Sequence, residues 1–289
     1  VGSSRSDVMA NSQDERGPMP QVFTSVGGSG PTRKVLAYGD SLTAGFYHFG
    51  RRFAPYGAAL AEALGQTGVA VEVWVCGLSG LTVADFVRDL QQDSVTCVCG
   101  RTGEGLAHLL QTRGPFDLVL LMGGTNDLAN AAVTAQRIAA NLQKLHTTCH
   151  DVGTCSVVLS VPPNANMVEQ NSRAEAYVRR WQSVNSLMHE WATAGGAGGD
   201  GRVGVLLHVD VESIVPFVRG APVWEVDGLH LSAEGSTVLG KALEPLVRPI
   251  LAAKEPKSCA SLARWLSGAE PSSDSFGWWL CCRRRRERR

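Results

Sequence analysis

The strongest constraint on this chain is an alternation. Between residues 34 and 251, short runs rich in β-branched and aliphatic residues take turns with longer stretches whose apolar residues recur every three or four positions. Residues 35–38, 69–75, 118–122, 157–161 and 203–209 read as strands, and residues 56–64, 83–90, 103–110, 134–147, 172–194 and 232–251 as helices. The run Leu118, Val119, Leu120, Leu121, Met122 has no polar position, as expected of a strand buried on both faces. Ile138, Leu142 and Leu145 form one helical stripe, and Tyr177, Trp181, Val184, Met188 and Trp191 form another, read as core. Ser232 is the expected N-cap of the last helix, which Pro245 and Pro249 are expected to kink or shorten. Five strands with helices between them predict a three-layer α/β domain.

That domain is expected over residues 31–253, after a Ser, Gly and Pro rich leader at 1–30 read as flexible, and before a tail at 254–289. A length of 289 residues admits two domains, yet no linker-like break divides the central region. No run reaches the roughly 18 consecutive apolar residues of a membrane-spanning helix. The formal net charge of zero hides a segregation: residues 283–289 hold six arginines and one glutamate, leaving 21 basic and 26 acidic residues elsewhere. A mildly acidic body repels phosphate backbones, so no nucleic-acid partner is expected for the folded domain. Eight cysteines are too few for a disulfide scaffold, and the first residues have no apolar stretch after their charges; both point to a reducing, cytoplasmic setting.

Chemistry concentrates at predicted strand ends. After the first strand, Gly39-Asp40-Ser41-Leu42 puts a serine where the chain turns out of the sheet, although an Asp-Ser pair alone is also a common turn or helix cap. A serine hydroxyl needs a base held by a carboxylate, and Asp227-Gly228-Leu229-His230 supplies both three residues apart. The rival pair, His208 and Asp210, lies on one face of a predicted strand, and His208 reads as a satisfied structural histidine. Cys76-Gly77-Leu78-Ser79-Gly80 offers a backbone N–H at Gly80, and Gly123-Gly124-Thr125-Asn126-Asp127 offers the Asn126 amide, as donors to an oxyanion; either stretch could be only a turn. His146, Cys149, His150 and Cys155 match no standard zinc spacing, and Cys97 and Cys99 read as unpaired thiols, so neither metal nor cofactor is expected.

Taken together in chain order, these four segments resemble the blocks of the SGNH, or GDSL, hydrolase family over about residues 31–253. The resemblance implies a flavodoxin-like α/β/α sandwich with a five-stranded parallel sheet. It implies no metal, and hydrolysis of carboxylic esters or thioesters through an acyl-serine. By that resemblance Ser41 is the nucleophile, His230 the base, Asp227 its orienter, and Ser41 N–H, Gly80 N–H and the Asn126 amide the oxyanion hole. The second block departs from the pattern, with Val75 where an asparagine often stands and Leu81 where an aspartate often does. Residues 46–53, 164–171 and 213–226 are the expected pocket walls. The competing class is a catalytically silent binding or scaffold protein delivered by its tail.

That tail carries Trp278, Trp279, Cys281, Cys282 and six arginines. It resembles the two-signal arrangement in which S-acylation adds to polybasic attraction, which makes an anionic membrane surface an expected partner. The same arginines would serve nuclear import or RNA binding, or a solvated tail without function. Gly2 to Ser6 fit a myristoylation pattern except that Val1 precedes them.

Overall fold

The computed structural model describes residues 18–195 and 204–252. The first half comprises β1 (Gln21–Thr24), β2 (Ser29–Gly39), α1 (Ser41–Ala44), β3 (Phe46–Tyr47), β4 (Arg52–Phe53), α2 (Tyr56–Gln66), β5 (Val69–Gly77) and α3 (Val83–Arg88). Then follow β6 (Val95–Thr96), β7 (Thr102–Gly103), α4 (Leu106–Arg113), β8 (Leu118–Met122), α5 (Thr125–Ala129) and α6 (Ala135–Asp151). The last group is β9 (Ser156–Leu159), α7 (Ser172–Thr193), β10 (Val205–Val209), α8 (Val211–Ile214) and α9 (Ala233–Ala252). The expected tail at 254–289, with Cys281 and Cys282, and the segment Gly2 to Ser6 lie outside the described residues. Among the described residues, no helix is long and apolar enough to cross a membrane.

The central sheet has the order β1-β5-β2-β8-β9-β10. All neighbours pair in parallel except β1, which runs antiparallel to β5. The five parallel strands therefore follow the flavodoxin order, with the chain reversing its direction of travel across the sheet at β2. Its neighbours β5 and β8 are entered from opposite sides, so a crevice opens where the carboxyl ends of β2, β5 and β8 meet. Gly39 aligns with Gly77 on one side and with Met122 on the other, which puts the loops carrying Ser41, Gly80 and Asn126 around that crevice.

Alternation along β2 explains the layers. Leu36 and Tyr38 enter one core with Phe86, Leu106, Ile138, Leu142 and Trp181 from α3, α4, α6 and α7. Val35 and Ala37 enter the other with Tyr56, Leu60, Leu243 and Val247 from α2 and α9. Each such fully buried aliphatic side chain removes enough apolar surface from water for about 1.5–3 kcal/mol. The helices begin at side-chain caps: Thr82 and Asp85 form a capping box on α3, Thr134 accepts from Arg137 N on α6, and Asn171 accepts from Ala174 N on α7.

Three expectations change. Residues 21–24 of the supposed flexible leader form β1, whose N–H and C=O groups complete the edge of β5, and β2 begins at Ser29 rather than at residue 35. The helix expected at 103–110 starts three residues later, because Gly103 pairs with Val95 in the β6–β7 hairpin and Gly105 is the cap. Finally, α9 is not shortened: it continues past Pro245 and Pro249 to Ala252, with Leu243, Val247, Ile250 and Leu251 in the core.

Candidate active site

Ser41 is the first residue of α1, immediately after β2, and it is buried. The preceding Asp40 caps that helix, its Oδ1 accepting from Leu42 N at 3.0 Å. Asp40 is fully buried, and burial pushes its carboxyl up to about 6 against the opposing effect of that hydrogen bond. Both readings of the Asp-Ser pair thus coexist, since the aspartate makes the cap and the serine is left facing the crevice.

His230 comes from the turn before α9, 189 residues away in sequence, and its Nε2 lies 3.0 Å from Ser41 Oγ. Its Nδ1 lies 2.8 Å from Asp227 Oδ2. The other carboxylate oxygen, Oδ1, accepts from the N–H groups of Leu229 at 2.9 Å and His230 at 3.0 Å. Partial burial raises the Asp227 pKa, but the bonds from the His230 ring and from these two N–H groups outweigh it and hold the carboxyl at about 2. The carboxylate is therefore ionised at any ordinary pH and fixes the imidazole with its hydrogen on Nδ1, leaving Nε2 to accept from the serine.

The turn has its own support. Gly228 has φ +66°, and a Cβ there would sit 2.7 Å from the Ala165 Cβ, so the left-handed conformation and the close approach both require glycine. Its carbonyl accepts from Ala165 N at 2.8 Å, and Glu225 N donates to His230 O at 2.8 Å. The Glu225 carboxylate also accepts from His48 N at 3.1 Å, joining this turn to the β3–β4 hairpin. From that hairpin, the Phe46 ring packs on the His230 ring with centroids 4.5 Å apart. Residues 46–53 were expected as a wall; this specific contact with the His230 ring was not read from the sequence.

Gly80 and Asn126 occupy the loops after β5 and β8. Gly80 has φ +80°, and a Cβ would sit 2.6 Å from Val98 Cγ2 in the segment between β6 and β7. The Asn126 amide donates to Leu81 O at 2.9 Å, which ties the two loops together. An amide NH₂ carries two hydrogens, so one remains for a ligand. Next to it, buried Asp127 accepts from Val83 N at 2.9 Å and anchors the start of α3 to the same loop.

The other candidates separate from this cluster. Asp210 caps α8 by accepting from Glu212 N, and the His208 ring packs edge-on against His189 with centroids 4.9 Å apart. His208 Nε2 has no hydrogen-bond partner among the described residues, so the expected satisfied histidine is only partly so. His146 Nδ1 and His150 Nε2 converge on the Ser156 hydroxyl, at 2.8 and 2.9 Å, while Cys149 Sγ donates to Leu145 O. Among the described residues, no three His, Cys, Asp or Glu side chains gather as metal ligands would. Cys97 and Cys99 lie with their sulfurs 3.0 Å apart, one buried and one exposed.

The model of the GDSL-like lipase/acylhydrolase family matches residues 37–238. The chain belongs to that family. It is similar in structure to a carbohydrate acetylesterase family member from Sinorhizobium meliloti, with 26% identity over 76% of this chain and 100% of that one and a TM-score of 0.54. An acetylxylan esterase from Geobacillus stearothermophilus shares the fold, with 21% identity over 79% of this chain and 99% of that one and a TM-score of 0.51. So does a lipase/acylhydrolase from Enterococcus faecalis, at 22% identity over 78% and 98% and a TM-score of 0.50. A search of curated proteins found no match. As a GDSL-like acylhydrolase, the protein is a carboxylic ester hydrolase whose substrates are small-molecule esters.

Proposed function

We propose that this acylhydrolase works through an acyl-Ser41 intermediate, with His230 as base and Asp227 as its orienter. The observation that carries the reading is the unbroken relay from Ser41 Oγ to His230 Nε2 at 3.0 Å and from His230 Nδ1 to Asp227 Oδ2 at 2.8 Å. Ser41 Oγ attacks the ester carbonyl as its proton passes to Nε2, and the carbonyl π electrons move onto oxygen. The Ser41 N–H, the Gly80 N–H and the Asn126 amide receive that oxyanion. When the tetrahedral species collapses, the bond to the alcohol or thiol breaks and His230 returns the proton to the leaving group. Water then attacks acyl-Ser41 with the same base, releasing the acid and restoring the serine.

The substrate class is a carboxylic ester or thioester. The acetyl esters named for the Sinorhizobium meliloti neighbour make short acyl groups the first to test. Reaction with a fluorophosphonate probe tests the nucleophile. A covalent adduct mapped to Ser41 by mass spectrometry, and absent in folded Ser41→Ala protein, is the expected result. An unlabelled wild-type chain, or labelling that survives Ser41→Ala, refutes the reading. A panel of p-nitrophenyl esters of rising chain length, run beside an acetylated sugar and a lysophospholipid, then reads the acyl preference.

A further inference from the structure

The end of α5, the turn after β9 and the first half of α7 line an open cleft of about 890 Å³. That is the size of a ligand pocket, which runs roughly 300–1,000 Å³. Its apolar surface comes from Leu128 and Ala129 on one side and Ala176 on the other. Its polar surface is basic. Arg173 and Arg180 lie seven residues apart, two turns along one face of α7. Arg180 donates to the carbonyls of Leu128 at 2.8 Å, Asn130 at 2.7 Å and Val133 at 3.3 Å, bonds that hold the guanidinium in place without neutralising it. Arg179, on the rim, pairs with Glu175 at 3.7 Å, and both are largely exposed. Arg173 is exposed and has no ion-pair partner among the described residues, and no acidic side chain is among the described residues that line the cleft.

The walls of the cleft are tied to the loops of the proposed catalytic groups on both sides. Asn166 lines it and donates to Asn164 Oδ1 at 3.0 Å, while Asn164 Nδ2 donates to Tyr177 Oη at 2.5 Å. Between these two asparagines, Ala165 N donates to Gly228 O inside the Asp227–His230 turn. On the opposite wall, Leu128 follows Asn126 by two residues in the same short helix. One wall of the cleft is therefore hydrogen-bonded to the turn that carries His230, the residue proposed to protonate the leaving group. We infer that this cleft binds a negatively charged group, carboxylate or phosphate, carried by the alcohol portion of the ester. The inference rests on the esterase reading above and extends it from reaction to substrate class.

The test uses the full chain and matched acetate esters. 4-Acetoxybenzoate carries the anion on the leaving group, its 4-carboxamide is the neutral counterpart, and 4-acetoxyphenyl phosphate offers the other anion. The anionic esters should show KM lower than the carboxamide by about 5- to 10-fold, as expected of one charge-assisted contact at a partly solvated site. The advantage should shrink in 0.5 M salt. Arg173→Lys should keep most of it, and Arg173→Glu should reverse it, which separates a charge effect from a loss of structure. The anion with the lower KM identifies the natural chemistry. Equal KM for all three esters, or a preference that survives Arg173→Glu, overturns the inference and leaves the esterase reading intact. If no ester is turned over while Ser41→Ala protein binds 4-acetoxybenzoate more tightly than its carboxamide in calorimetry, the cleft stands and the esterase reading falls.

Discussion

Replacing Asp227 by asparagine changes one atom and should separate catalysis from folding. The carboxylate now accepts three hydrogen bonds, from His230 Nδ1 at 2.8 Å on Oδ2 and from the N–H groups of Leu229 and His230 at 2.9 and 3.0 Å on Oδ1. An asparagine carbonyl oxygen can keep the two backbone donors, which puts its NH₂ against Nδ1. An NH₂ group cannot accept, so the imidazole must carry its hydrogen on Nε2, facing Ser41 Oγ, where it can no longer take the serine proton. The wrong tautomer should lower kcat by about 10⁴. Stability should change much less. The Asp227 carboxyl is held at about 2, below the usual aspartate range, which by itself is worth about 2 kcal/mol; partial exposure to solvent reduces this to about 1 kcal/mol. Because the folded-state value is depressed, this stabilisation is present above about pH 4 and is lost as pH falls toward 2. At neutral pH the Asp227→Asn protein should therefore melt only about 2–4 °C lower. Steady-state hydrolysis of p-nitrophenyl acetate and thermal melts on the same preparation make the comparison. A kcat within tenfold of wild type in a folded variant would refute the relay.

Asn126→Ala should lower kcat by about 10² to 10³ with KM little changed, since the amide bonds the transition state more strongly than the ground state; a pure KM effect in p-nitrophenyl acetate kinetics would reassign it to substrate binding. Acid should destabilise the fold through buried imidazoles: burial, reinforced by His150 and His208, holds His146 at about 3, and burial holds His150 at about 4. Their folded-state values lie below that of unfolded histidine, so stability is lost as pH falls from about 6.5 toward 3, with His146 alone contributing roughly 3–5 kcal/mol. Melting temperature followed from pH 7.5 to 4 should fall steeply and His146→Gln should flatten the curve, whereas a flat wild-type curve would contradict the assignment. On the sequence reading of the tail, ending the chain at Gly277 should move the protein from the membrane to the soluble fraction while p-nitrophenyl acetate turnover is retained. Unchanged fractionation would remove the membrane partner.

Local pattern located the five parallel strands and the helices that flank them. The all-apolar run at 118–122 reads as a strand buried on both faces, and it is β8. The stripe from Tyr177 to Trp191 reads as one face of a helix against a core, and four of its five residues are buried in α7. Asp227 and His230 could be paired from sequence because they stand three residues apart in one turn. These features are legible because each is decided inside a window of a few residues, where periodicity and turn chemistry act.

What needed the tertiary structure depends on partners far apart in the chain. β1 is half-buried and only four residues long, with nothing in its own pattern to mark it; register with β5 makes it a strand. Pro245 and Pro249 were read by their local cost, which the buried face of α9 outweighs. The Phe46 ring against His230, the bond from Asn126 to Leu81 O and the link from Asn164 to Tyr177 each join segments whose spacing in sequence carries no information about contact. The basic cleft is the clearest case. Arg173 and Arg180 share a helix face that the sequence displays, but a solvated charged face and the wall of a pocket have the same pattern. Only the packing of α5 against α7, with Arg180 bound to the carbonyls of Leu128 in α5 and of Asn130 and Val133 after it, turns that face into the wall of a cleft.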